Sequence, residues 1–119
     1  MTGKRSWPVH LSEAAKADYR NILDWTAEQF GEAQHDIYAQ VLDEAIAALM
    51  NGPDTRGVVP RADIAPGLLC LRVARQGHRG RHLLVCRARH RNHEEIIEIL
   101  RILHDSMDLA RHLPPSSDE

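Results

Sequence analysis

The spacing of apolar residues changes once along the chain, just after Pro53, and that change restricts the fold more than any compositional figure. Before it, Ala15, Tyr19, Ile22, Leu23, Thr26 and Phe30 recur at helical intervals. A second, broader stripe follows in Ile37, Tyr38, Val41, Leu42, Ala45, Ile46 and Leu49. Ser12 offers the first helix an N-cap, and Glu13 lies in the first turn, where the helix dipole favours an acid. Gly31 ends that helix, and Asn51, Gly52 and Pro53 stop a second one running over about 32–50. Two long helices joined by so short a turn form an antiparallel hairpin.

Beyond Pro53 the period becomes two. Residues 54–67 are turn-rich, with Pro60 and Pro66 opposed to helix. Leu69, Leu71 and Val73 then alternate with Cys70 and Arg72. Strands are predicted over 68–75, 82–89 and 95–103, joined by links 76–81 and 90–94 as an antiparallel meander. A short apolar run at 8–11 adds an N-terminal strand. The expected class is α+β: a short N-terminal strand and a two-helix antiparallel hairpin packed on a small antiparallel sheet, the helices covering one face and leaving the other open.

At 119 residues, 43% hydrophobic and 27% charged, the chain reads as one globular domain over 1–113 with a disordered Pro-Pro-Ser-Ser tail at 114–119. No apolar run approaches a membrane span, and the N-terminus lacks the apolar stretch of a signal peptide, so a cytoplasmic location is expected. Cys70 and Cys86, both in apolar surroundings, read as a buried reduced pair rather than a disulfide.

Charge is divided unevenly. Residues 1–55 carry four Lys/Arg and nine Asp/Glu, whereas 56–113 carry eleven Arg, no Lys and six Asp/Glu. Between Arg72 and Arg91 there are seven arginines, three histidines and no acid. Such a cluster can hold carboxylates or phosphates through paired hydrogen bonds. Arg72, Arg87 and Arg89 are placed by strands, whereas Arg75, Arg79 and Arg81 flank a hairpin tip. An acidic partner, DNA or another macromolecular target, and plain solvated surface are the competing uses.

Four segments carry a family resemblance: HLSEAAKADYRNILDW opening the first helix, DIAPGL at 63–68, HLLVCR at 82–87 and ILRILHDSMDLARHL at 99–113. In this order and spacing the chain resembles the ParE-type toxins of the RelE/ParE superfamily, encoded in bacterial toxin–antitoxin (plasmid stabilisation) modules. The resemblance implies a helical hairpin on a small sheet, without a cofactor. It also implies a hetero-oligomeric complex with a ParD-like antitoxin, whose C-terminal segment wraps the toxin. For ParE toxins the implied target is DNA gyrase, and for RelE-like relatives it is mRNA on the ribosome. A third reading is a toxin fold that only binds its partner.

The nuclease reading needs a base, an acid and a cation to stabilise the crowded phosphorane. Arg72, Arg87, Arg101 and His104 are the available set. RelE-like enzymes resemble one another in using Lys, Arg and Tyr on the sheet. Here Tyr19, Tyr38 and Lys16 fall in the helices, Lys4 lies ahead of them, and Cys86 stands where many relatives have tyrosine. For partner binding the set is Arg72, Arg75, Arg87 and Arg89. The plainer alternative pairs Arg101 with a carboxylate and places His104 where the chain leaves the sheet, with Asp105 or Ser106 opening a short last helix. Strict alternation would set Ile97, Ile99, Arg101 and Leu103 on one face, and Ile96, Glu98, Leu100, Ile102 and His104 on the other. His90 to His93 has metal-ligand types without a third ligand, so no metal is expected. Neither a phosphate-binding glycine loop nor a nucleophile elbow is present.

Overall fold

The computed structural model describes residues 6–74, 80–107 and 109–113. Arg75, Arg79 and the tail 114–119 lie outside them. Strand β1 (Val9–Leu11) leads into helices α1 (Glu13–Phe30) and α2 (Glu32–Ala48). Strands β2 (Val59–Pro60), β3 (Leu69–Arg72), β4 (His82–Arg91) and β5 (Glu94–His104) follow, then a 3₁₀ turn at Leu109–His112. The five strands form one mixed sheet in the order β1-β5-β4-β3-β2. The meander β3 to β5 is antiparallel, as its spacing indicates; β2, in the stretch read as turn-rich, adds to β3 antiparallel, and β1 adds to β5 in parallel, Val9 opposite Ile97. No helix among the described residues is long and apolar enough to cross a membrane.

The helix boundaries follow from local chemistry. Ser12 Oγ accepts from the Ala15 N–H at 3.0 Å, capping α1, and donates to the Leu100 carbonyl at 2.8 Å, tying the cap to β5. Gly31, at φ +92°, ends α1 and starts α2 within a single residue. Gly52 stops the chain after α2 and lies against Trp7, whose indole a Cβ there would meet at 2.5 Å. In the β4–β5 hairpin Asn92 and His93 both have positive φ (51° and 65°), the requirement of a two-residue turn matched to strand twist. The strands therefore run further than expected, reducing the link 90–94 to those two residues.

One irregularity resets the faces of β5. Val85 pairs with Arg101 but Cys86 pairs with Ile99, so Leu100 is an extra residue on β5. The bulge inverts the alternation beyond it. Ile102 joins Ile97 and Ile99 beneath the helices, and Leu103 joins Leu100 on the opposite face. The helix-facing core also takes in Leu42, Leu49, Leu71, Leu84 and Cys86. At roughly 1.5–3 kcal/mol for each large apolar side chain withdrawn from water, this cluster is the main stabilising element.

The second face is not open. Leu68, Cys70, Leu83, Val85, Leu100, Leu103 and Leu109 form a second buried cluster beneath Ile64, Ala65 and Leu113. The turn-rich stretch before β3 and the last 3₁₀ turn supply that cover. The two cysteines belong to different clusters, on opposite faces, which forbids a bond between them and agrees with both being free and buried.

Candidate functional site

A groove of about 1010 Å³ opens between the α1–α2 hairpin and the ends of β4 and β5 near His82 and His104. Ile22, Val41 and Ile102 belong to its apolar lining. Trp25, Phe30, Ile37 and Met107 also line it, yet they are 54%, 62%, 53% and 43% exposed. Four large apolar side chains left in water around one concavity are the pattern of a binding surface, not of chance exposure. Trp25 and Phe30 meet edge to face, with centroids 5.7 Å apart, giving a firm aromatic wall.

The polar end of the groove is made where the strands stop. Past Leu11 the edge of β5 has lost its β1 partner, and Asp18 of α1 takes over. Its carboxylate accepts the Ile102 backbone N–H at 2.9 Å and both Nε and Nη2 of Arg101, at 2.7 and 2.8 Å. Arg101 also donates to the His112 carbonyl at 2.8 Å, tying the last 3₁₀ turn to the sheet. The bonded Asp18 raises the Arg101 pKa further, fixing its charge.

Beside this pair, His82 and His104 face each other across β4 and β5 with ring centroids 5.5 Å apart, edge to face. Tyr38 Oη lies 2.7 Å from His82 Nδ1, an approach that Gly80 allows, since a Cβ there would meet that oxygen at 2.6 Å. Burial pushes the Tyr38 hydroxyl up to about 12, keeping its proton on. Burial, then the nearby His104, lowers the His82 pKa and keeps that ring neutral. Asp105, just past β5, receives Arg72 at 3.3 Å and Arg81 at 3.1 Å. Its partial burial opposes ionisation, but the two guanidinium groups outweigh that and hold its carboxyl below the usual range.

The residues singled out from sequence divide accordingly. Arg101 and His104 line the groove, and Arg72 stands behind it on Asp105. Arg87 and Arg89 are drawn to a different carboxylate, Glu98, at 3.5 and 2.9 Å. Arg75 lies outside the described residues. The three arginines of the nuclease set are thus held by three separate acids, and His104 is bonded to Ser106, rather than all being aimed at one point. Cys86, where a tyrosine would otherwise stand, is fully buried with its thiol pushed up to about 12 by that burial, so it is no nucleophile.

Sequence reasoning assigned Phe30 and Ile37 to the helical core stripes, but both face the groove. It passed over Trp25 and His82, and it set Arg81 at a hairpin tip, behind the strand arginines. A signal existed: the α2 stripe is wider than one buried face requires, and Trp25 falls outside the α1 stripe. As to metal ligands, Glu32, His35 and Asp36 place donor atoms within 4.8 Å of one another. They sit at the start of α2, where the dipole disfavours a cation, and His35 Nδ1 is already engaged by Asp36 at 3.0 Å.

Comparison with known proteins agrees with this architecture. The family model for the ParE toxin of the type II toxin–antitoxin system parDE matches residues 9–109. A curated relative, the toxin ParE of Escherichia coli, is 33% identical over 103 residues, spanning 87% of this chain and 89% of that protein. A solved structure of the chromosomal ParDE system from P. aeruginosa superposes with a TM-score of 0.66 at 20% identity, covering 84% of this chain and 97% of its own.

Proposed function

Because the chain belongs to the ParE toxin family of type II toxin–antitoxin systems, we propose that it inhibits DNA gyrase by binding it and that a ParD-like antitoxin neutralises it by filling the groove. The observation that carries this reading is the exposed apolar lining of Trp25, Phe30, Ile37 and Met107 beside a cationic end. An amphipathic helix places anchors at such spacing, and an acidic segment beyond it meets Arg72 and Arg81, which share a single carboxylate. Arg87 and Arg89, two guanidinium groups on Glu98, extend the same preference for acid along β4. Binding rather than covalent chemistry suits a site whose cations are already neutralised in pairs. With gyrase as target, the protein works in the cytoplasm.

The test is a pair of assays on antitoxin-free protein: gyrase supercoiling and cleavage, and ribosome-coupled mRNA cleavage. Inhibited gyrase with intact mRNA is the expected result. Cut mRNA with active gyrase would transfer the function to a RelE-like endonuclease using Arg101 and His104. No effect in either assay would leave a protein that only binds its partner.

A further inference from the structure

The two ends of the groove differ in the bonds they can make. Its wall on α1 follows one helix face from Asp18 through Ile22 and Trp25 to Phe30. By the rise of an α-helix, Asp18 and Phe30 stand roughly 18 Å apart along the axis, room for a partner helix of three turns. The charged lining residues, Asp18, Arg81 and Arg101, gather at one end, while Thr26 and Gln34 beside Trp25 and Phe30 are uncharged. At the charged end the carboxylates are closed. Asp18 Oδ1 accepts Arg101 Nη2, and its Oδ2 accepts Arg101 Nε and the Ile102 N–H. Asp105 Oδ1 is taken by Arg81 and Oδ2 by Arg72. Donors remain there. Arg101 has N–H groups left over once Asp18 and the His112 carbonyl are served. His104 Nδ1 receives the Ser106 backbone N–H at 3.2 Å, which sets the ring's own proton on Nε2. Among the described residues Nε2 bonds to no acceptor, and no buried side-chain nitrogen lacks a partner, so this N–H opens into the groove.

We propose that the groove fixes the direction of the helix it receives, with the helix C-terminus over His104 and Arg101 and its N-terminus beside Trp25 and Phe30. An α-helix ends on carbonyl groups that have no intrahelical partner and bears about half a negative charge there. Those carbonyls meet His104 Nε2–H, the spare N–H groups of Arg101 and the positive charge that Arg72 and Arg81 leave on Asp105. Reversed seating turns the free N–H groups of a helix N-terminus toward the same donors. Both sets then lose water without gaining a partner, and like charges face each other. The hairpin contributes little to the choice, because α1 and α2 run in opposite directions and their dipoles oppose. The direction rests on the reading that an antitoxin helix fills the groove, and it puts the acidic segment after that helix, where Arg81 and Arg72 stand.

The probe is a lactam-bridged amphipathic peptide of about fourteen residues, leucine on one face and alanine and glutamine elsewhere, with a nitroxide at either end. Its binding to the full chain is followed by proton–nitrogen NMR of the Trp25 indole, the His104 imidazole and the Nε–H groups of Arg81 and Arg101. The C-terminal label should broaden His104, Arg81 and Arg101, and the N-terminal label should broaden Trp25. Without labels, a C-terminal carboxylate in place of the amide should tighten binding roughly threefold at low salt, and Arg81→Gln should reduce that gain. Reversed broadening, or equal broadening of both ends by each label, overturns the direction while leaving the groove a helix site. Absence of binding in the millimolar range, or binding that leaves Trp25 and Arg101 untouched, removes the groove reading and the direction with it.

Discussion

Strand β4 passes through two environments. From Leu83 to Cys86 it is buried between two apolar clusters, with His82 at the groove end; from Arg87 to Arg91 it is a solvated ribbon paired only with β5. Both ends are rich in cations, and composition alone treats them alike. On the ribbon the acid-free run of arginines meets its acids across the hairpin: Arg87 and Arg89 share Glu98, and Arg91 stands opposite Glu94. At the groove end the cations pair as well, but beside Trp25, Phe30, Ile37 and Met107. What separates a site from a decorated surface here is charge next to exposed apolar area, because partner binding draws most of its energy from desolvated anchors.

The comparison breaks most readily at the anchors. Trp25→Ala should weaken antitoxin binding by about 2 kcal/mol, roughly thirtyfold in Kd by calorimetry. Arg91→Ala on the ribbon should change it less than about threefold, and mainly at low salt. Equal losses would erase the distinction between the two ends.

Stability provides the next contrast. Asp18→Asn leaves Arg101 without its ion pair in a setting where the two side chains are only 12% and 25% exposed. A loss of about 2–3 kcal/mol, seen as a melting point lower by roughly 10 °C, is expected. The matching change at the ribbon, Glu98→Gln, should alter stability by no more than about 0.5 kcal/mol, since its arginine partners are 44% and 39% exposed.

Acid sharpens the contrast. The His82 pKa is lowered on folding, so below its ordinary value of 6.5 the unfolded chain binds more protons than the folded one. This contribution is fully present above pH 6.5 and is lost as pH falls beneath it. Melting followed against pH should show that decline in wild type, and His82→Gln should flatten it. A loss smaller than that at Asp18 belongs to Gly80→Ala, whose Cβ presses on Tyr38 Oη. Displacing that hydroxyl from His82 should cost about 1 kcal/mol by the same melting assay.

How far the sequence discloses this molecule depends on the range of each interaction. Helix α1 with its Ser12 cap, the Gly31 break and the order of the β3 to β5 meander are written in local spacing, although β3 is shorter and β4 and β5 longer than that spacing puts them. The bulge at Leu100 is not, because an added residue in a strand of Ile and Leu leaves the apolar pattern intact while reversing which side chains share a face. The parallel pairing of β1 and the cover supplied by Ile64 and Ala65 depend on contacts between distant segments. Of the site, Arg101 and His104 are visible as polar breaks in an apolar strand. Arg81 and His82 are hidden within the arginine-rich run, and Phe30 and Ile37 within helical stripes that look like core.

The bond from Ser12 Oγ to the Leu100 carbonyl spans 88 positions and joins the first helix cap to the last strand. Together with the β1–β5 ladder, it defers closure of the fold until β5 has been synthesised. Before then α1 and α2 can form turns but have no complete sheet to pack on, and contacts this distant in sequence form slowly. A nascent toxin is therefore expected to remain unfolded through most of its own translation and to acquire its groove late, in one cooperative step. During that interval its apolar helices are open to any helper or antitoxin already present in the cell.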